Sequence, residues 1–152
     1  MPVNFESHAS AVEFFYVVVR TEYALKVCGY HQGDGRAQVD WDSFASEIER
    51  VMDNTIPEQL ESAIQFILAR PPRKQVVESG QLKWVDAPLS DESNTRKVFL
   101  FVRRTRNNLF HGGKHNESVI EHQYSDELLR NCTVVLREVV NLLPDVKRAF
   151  EG

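Results

Sequence analysis

The stretch Ser125-Asp126-Glu127-Leu128-Leu129-Arg130-Asn131-Cys132-Thr133-Val134-Val135-Leu136-Arg137-Glu138-Val139-Val140-Asn141-Leu142 decides the fold. Leu128, Leu129, Cys132, Val135, Leu136, Val139 and Leu142 return at steps of three and four, the period at which a helix turns one wide face to a core. Ser125 is a helix-capping residue placed just ahead of them, and Pro144 interrupts or bends the far end.

Working outward, the same period governs most of the chain. Val12, Phe15/Tyr16, Val19, Tyr23 and Val27 predict a first helix over residues 7–28, apolar on more than one face as a central bundle helix is. Gly29 and Gln32-Gly33-Asp34-Gly35 end it in a loop. Asp40 or Asp42 caps a second helix reaching Met52, with Trp41, Phe44, Ile48 and Val51 inward. Pro57 suits the first turn of a third, carrying Leu60, Ile64, Ile67 and Leu68, and Arg70-Pro71-Pro72 stops it. Residues 73–90 differ: Gln75-Val76-Val77-Glu78 and Gln81-Leu82-Lys83-Trp84-Val85 read as two short strands around Ser79-Gly80, with Trp84 anchoring this hairpin on the bundle. Ser90 caps a fourth helix, with Asp91 and Glu92 at its positive end, Val98, Phe101, Val102 and Leu109 inward and Gly112-Gly113 as its stop. The expected fold is all-α: an antiparallel up-and-down bundle of four to five helices, a single domain over 1–152, with a small loop or hairpin insertion around 73–90.

Composition agrees with a globular domain, at 42% hydrophobic and 26% charged residues. The longest apolar run, Phe14 to Val19, is far short of a membrane span, and Met1-Pro2-Val3-Asn4-Phe5-Glu6 lacks the basic start of a secretory signal. A cytoplasmic protein is therefore expected, with Cys28 and Cys132 as free, buried thiols. A net charge of −4 argues against a chain coated in nucleic acid. The charge is unevenly spread, however. Residues 96–115 hold Arg96, Lys97, Arg103, Arg104, Arg106 and Lys114 and no acid, so a +6 segment sits in a body of −10. That pattern suits a local anion site better than a long groove.

Inside this segment lies Arg103-Arg104-Thr105-Arg106-Asn107-Asn108-Leu109-Phe110-His111-Gly112-Gly113-Lys114. An arginine can neutralise a phosphate that is gaining charge, and a histidine can move a proton near neutral pH. An arginine and a histidine at this spacing are expected about once by chance in such a chain, so the context has to carry the reading. The context is Asn107 directly behind Arg106, the glycines behind His111, and a helix end in an all-α protein. There the chain resembles the HEPN superfamily of small helical bundles found in toxin–antitoxin and antiphage ribonucleases. Their signature, an arginine, a polar residue and a histidine a few positions on, falls on Arg106, Asn107 and His111.

The resemblance implies metal-independent cleavage of single-stranded RNA, with no cofactor, leaving a 2′,3′-cyclic phosphate and a 5′-hydroxyl. His111 would be general acid or base, its unperturbed pKa of about 6.5 being suited to that work. Arg106 would stabilise the charge on phosphorus, and Asn107 would orient the imidazole or the phosphate. Arg103, Arg104, Asn108 and Lys114 are the expected RNA contacts. It also implies a homodimer, RNA as the partner, and room for an antitoxin protein. Proteins of this type paired with a nucleotidyltransferase often carry a tyrosine two places after the histidine. Gly113 stands there in this chain, which speaks against an AMP-adding partner.

Helix geometry adds a condition. At about 100° per residue, Asn107 and His111 lie about 40° apart, but Arg106 and His111 about 140° apart. Either the helix unwinds before His111 or a second chain completes the site. Two plainer readings stand beside this one. The segment can be a helix C-terminus with His111 set against the dipole, or the fold can hold RNA or a nucleotide without cutting it. A zinc site on His111 and His115 lacks an evident third ligand, His122 being the best candidate, and no metal is expected.

Overall fold

The computed structural model describes residues 8–53, 55–89, 92–112 and 122–152. Six helices and one two-stranded hairpin make up these residues, an all-α bundle with a small insertion. The helices are α1 (Ala9–Val27), α2 (Trp41–Met52), α3 (Glu58–Ala69), α4 (Asn94–Gly112), α5 (Asp126–Leu142) and α6 (Pro144–Glu151), and the strands β1 (Lys74–Glu78) and β2 (Gln81–Val85) lie between α3 and α4. Beyond Pro144 the chain forms a helix of its own, one more than the sequence pattern resolved, because proline is well tolerated in a first helical turn.

The centre of the bundle is α5. Ser125 accepts from the Leu128 amide and caps it, and Leu128, Leu129, Cys132, Val135, Leu136, Val139 and Val140 are buried along it. Helices α1, α3 and α6 pack on it directly, while α4 lies against α3 and α2.

The expectation for α1 needs correction. Phe14, Val17, Val18, Ala24 and Leu25 are its buried apolar residues, whereas Val12, Phe15, Tyr16, Val19, Tyr23 and Val27 are 47–59% exposed. Two apolar stripes of the same period run along this helix, and periodicity cannot say which of them meets the core. Only one does.

Local chemistry fixes what surrounds the site. The end of α1 is a Schellman turn: the Tyr30 amide donates to the Leu25 carbonyl and the Gly29 amide to that of Lys26, with Gly29 at φ +92°. Tyr30 then lies edge-on to Phe44 of α2. The loop that follows closes on itself, Asp40 donating to the Tyr30 carbonyl and Gln32 to that of Gln38, with a bridge between His31 and Val39. Asp40 caps α2 by accepting from Ser43, and those hydrogen bonds hold its carboxyl below the usual carboxylate range.

In the hairpin, Lys74 pairs with Val85 and Glu78 with Gln81. Ser79 and Gly80 both have positive φ, as a two-residue type I′ turn requires. Trp84 lies against Tyr124, which anchors the hairpin to the turn preceding α5. Helix α4 begins at Asn94 and is capped by Ser93, whose hydroxyl accepts from the Arg96 amide. Ser90 and Asp91, expected at this cap, lie outside the described residues.

Both cysteines are free thiols. Cys132 is fully buried and donates to Thr105 Oγ1, and burial pushes its pKa up to about 12. No helix among the described residues is long and apolar enough to cross a membrane.

Candidate functional site

Helix α4 is continuous from Asn94 to Gly112. It does not unwind before His111, so the first of the two ways of joining Arg106 and His111, the one within a single chain, is gone. The two side chains stand about 140° apart around the helix axis.

Their surroundings differ accordingly. Arg103, Asn107 and His111 follow one another at four-residue steps and line a cleft of ≈ 470 Å³ between α4 and the hairpin, with Lys74 and Gln75 of β1 among its other walls. His111 is exposed there. Arg106 opens instead on a second cleft, ≈ 430 Å³, bounded by α4, the end of α1 and the loop before α2. Arg103 and Asn107 line both.

In the second cleft Arg106 is held by a carboxylate. Its Nη1 lies 2.6 Å from Glu22 Oε1 on α1, and its guanidinium rests over the Phe110 ring at 5.9 Å. Glu22 thus occupies one of the donors that a phosphate would use. Phe110 meets Phe15 edge-on, ring centroids 5.5 Å apart, so the exposed stripe of α1 runs directly into the end of α4.

Arg103 is the cation with least support. Its guanidinium lies over Trp41 at 5.7 Å and, among the described residues, has no hydrogen bond and no ion pair. Burial, and after it the neighbouring Arg106, push its pKa below the usual guanidinium value. Asp42 and Glu22 act on it in the opposite sense, but neither makes an ion pair with it, so its donors stay open to an arriving anion.

Arg104 and Asn108 have other employment. Arg104 Nη1 donates to the carbonyls of Pro72 and Ala87, both at 3.1 Å, and its guanidinium also lies over Phe101. Asn108 is buried and donates to the Arg73 carbonyl at 2.8 Å. Both side chains touch the first cleft, but their hydrogen bonds clamp the two ends of the hairpin. Lys114 lies outside the described residues, as does His115. A His122 ring nitrogen sits 2.5 Å from the Arg70 carbonyl, and among the described residues no three metal-binding side chains gather.

The sequence pattern did not point to Glu22, Lys26 or Arg36. Each is brought to Arg106 only by the packing of α1 and its loop against α4, and none shares a local motif with it. A weak signal did exist, because Glu22 and Lys26 are one turn apart on α1 and both project from beside its apolar stripe.

Compared with protein-family models, with curated proteins and with solved structures, the chain finds no match.

Proposed function

We propose that this protein is a metal-independent endoribonuclease that acts as a homodimer on single-stranded RNA in the cytoplasm. The observation that carries the reading is the unbroken α4. It separates Arg106 from His111 within one chain, and it ends beside an apolar stripe on α1 that is exposed among the described residues. A second copy of the chain seated on Val12, Phe15, Tyr16, Val19 and Tyr23 buries that stripe about a two-fold axis. It brings a second α4 alongside the first, so that Arg106 of one chain and His111 of the other can face one phosphate. An antitoxin protein covering the same stripe would block that pairing, which is the simplest way to restrain such an enzyme.

The reaction needs no metal. The RNA 2′-hydroxyl loses its proton to the imidazole as its oxygen bonds to phosphorus, the P–O5′ bond breaks, and the leaving 5′-oxygen takes that proton back from the imidazolium, directly or through a water. His111 serves as base and then acid, contributing about 10²–10⁴-fold. Arg106, exchanging Glu22 for phosphate, stabilises the extra charge on the pentacoordinate phosphorus. Asn107, which lines both clefts, is placed to hold the phosphate between them.

A second reading has its own support. Arg106 is already paired with Glu22, which suits a protein that holds RNA or a nucleotide without cutting it. One set of reactions separates the two. Unstructured RNA is incubated in EDTA with the wild type, with His111→Ala, with Arg106→Ala and with the two variants mixed. The expected result is cleavage to 2′,3′-cyclic ends by the wild type and none by either variant alone. Random re-pairing of the two inactive chains restores about a quarter of the wild-type rate, because half the dimers are mixed and each holds one complete site. Binding without cleavage in every sample favours the module, and no recovery on mixing sinks the shared site.

A further inference from the structure

The second cleft holds more than Arg106. Four cations line it, Lys26, Arg36, Arg103 and Arg106, against the single carboxylate of Glu22. Arg106 takes that carboxylate. Among the described residues Lys26, Arg36 and Arg103 make no ion pair, and Arg103 feels the nearby carboxylates of Asp42 and Glu22, so the cleft keeps an excess of positive charge within one concavity of ≈ 430 Å³. In a chain of net charge −4, such a cluster makes one local spot of positive potential that favours an anion.

The wall opposite α4 is also built rather than loose. The loop carrying Arg36 is fastened at its neck by the Tyr30–Asp40 and Gln32–Gln38 hydrogen bonds and the His31–Val39 bridge. It is held again by Gln32 Nε2, which donates to the Val39 carbonyl. Trp41, at the loop's far end, sets Arg103 from below. Gln38 also lines the cleft and is exposed, and its side-chain amide offers both a donor and an acceptor.

We infer that this cleft is a nucleotide subsite, taking one phosphate beside the scissile one on Lys26, Arg36 and Arg103. The inference rests on the proposed RNA cleavage for its placement, since Arg106 and Asn107 border the subsite and would hold the next phosphate along the strand. The chemistry recognised is a nucleotide phosphate, whether in an RNA strand or in a free mononucleotide. The other cleft, beyond His111, takes the strand on the far side of the cut.

The test uses the wild-type protein and a fluorescein-labelled, 2′-O-methylated ten-nucleotide RNA that cannot be cleaved. Binding is followed by anisotropy at two salt concentrations, with AMP as competitor. Lys26→Glu and Arg36→Glu are compared with Arg130→Glu, an exposed residue of α5 that changes net charge equally. The cleft variants are expected to raise Kd about tenfold and to lower the salt dependence by about one phosphate contact each, while Arg130→Glu changes little. Displacement of the strand by micromolar AMP, lost in the same variants, assigns the cleft to a free nucleotide and keeps the site. Equal binding by all three variants overturns the subsite, as does a wild type that binds neither probe. Cleavage assays on unmodified RNA keep the two ideas apart. Cutting that ignores Lys26 and Arg36 removes only the subsite, and cleft-dependent binding without cutting removes only the nuclease.

Discussion

Arg104 and Asn108 stand one position along α4 from Arg103 and Asn107, and the two pairs meet opposite fates. The first pair is finished inside the chain: both side chains donate to backbone carbonyls at the base of the hairpin. The second pair faces two open clefts, and next to it Arg106 borders a helix face that is left exposed among the described residues. One helix thus has a side that is structurally complete and a side that is not. Identical residue types serve as clamps on one and as unfilled binding groups on the other, and what separates them is about 100° of rotation.

The largest expected effect comes from keeping the open side open. Val19→Glu places a charge in the middle of the exposed α1 stripe without touching the core, so melting temperature should move little. The oligomer, followed by light scattering, should fall from dimer to monomer. If the proposed dimer shares its sites, cleavage should drop about 10²-fold or more, since each site would lose the group supplied by the other chain. A variant that stays dimeric and active would show that the stripe is not the contact. One that turns monomeric yet cuts at the wild-type rate would return the whole site to a single chain.

The closed side should answer differently. Arg104→Ala and Asn108→Ala each remove hydrogen bonds from carbonyls at the hairpin base and should cost about 1–3 kcal/mol of stability, read as a lower urea midpoint. Cleavage per folded molecule should stay within about twofold, because Arg104 Nη1 and the Asn108 amide are engaged with backbone carbonyls. Arg103→Ala should do the reverse, weakening RNA binding while lowering the midpoint by less than the other two, as its guanidinium has the Trp41 ring contact but no hydrogen bond to lose. A loss of binding by Arg104→Ala at unchanged stability would erase the contrast.

This division also marks where the sequence stopped speaking. Capping by Asp40 and Ser125, the stripes of α2, α3 and α5, and the turn at Ser79-Gly80 are decided by neighbours a few residues away, and the sequence showed them. The sides of α1 are not decided locally. Phe14, Val17 and Leu25 on one stripe and Phe15, Val19 and Tyr23 on the other offer equal periodicity, and only the position of α5 chooses between them. The site shows the same boundary. Arg103 through His111 were legible because they are contiguous, and the rotation between Arg106 and His111 followed from helix pitch alone. Glu22 is 84 positions from Arg106 and reaches it through tertiary packing, which no spacing in the sequence encodes.

Glu22 gives the smallest effect and the most discriminating one. Its carboxylate and an RNA phosphate compete for the same guanidinium, so Glu22→Gln should tighten RNA binding by about three- to tenfold at low salt, an advantage that shrinks as salt screens the cleft. The pair is partly exposed, and its loss should cost no more than about 1 kcal/mol of stability. If Glu22 instead aims Arg106 at the reacting phosphate, the same substitution leaves Kd alone and lowers kcat. Measuring both constants on one variant therefore distinguishes a carboxylate that holds the place of the substrate from one that positions the arginine. Only the first outcome keeps the open side of α4 a site awaiting an anion.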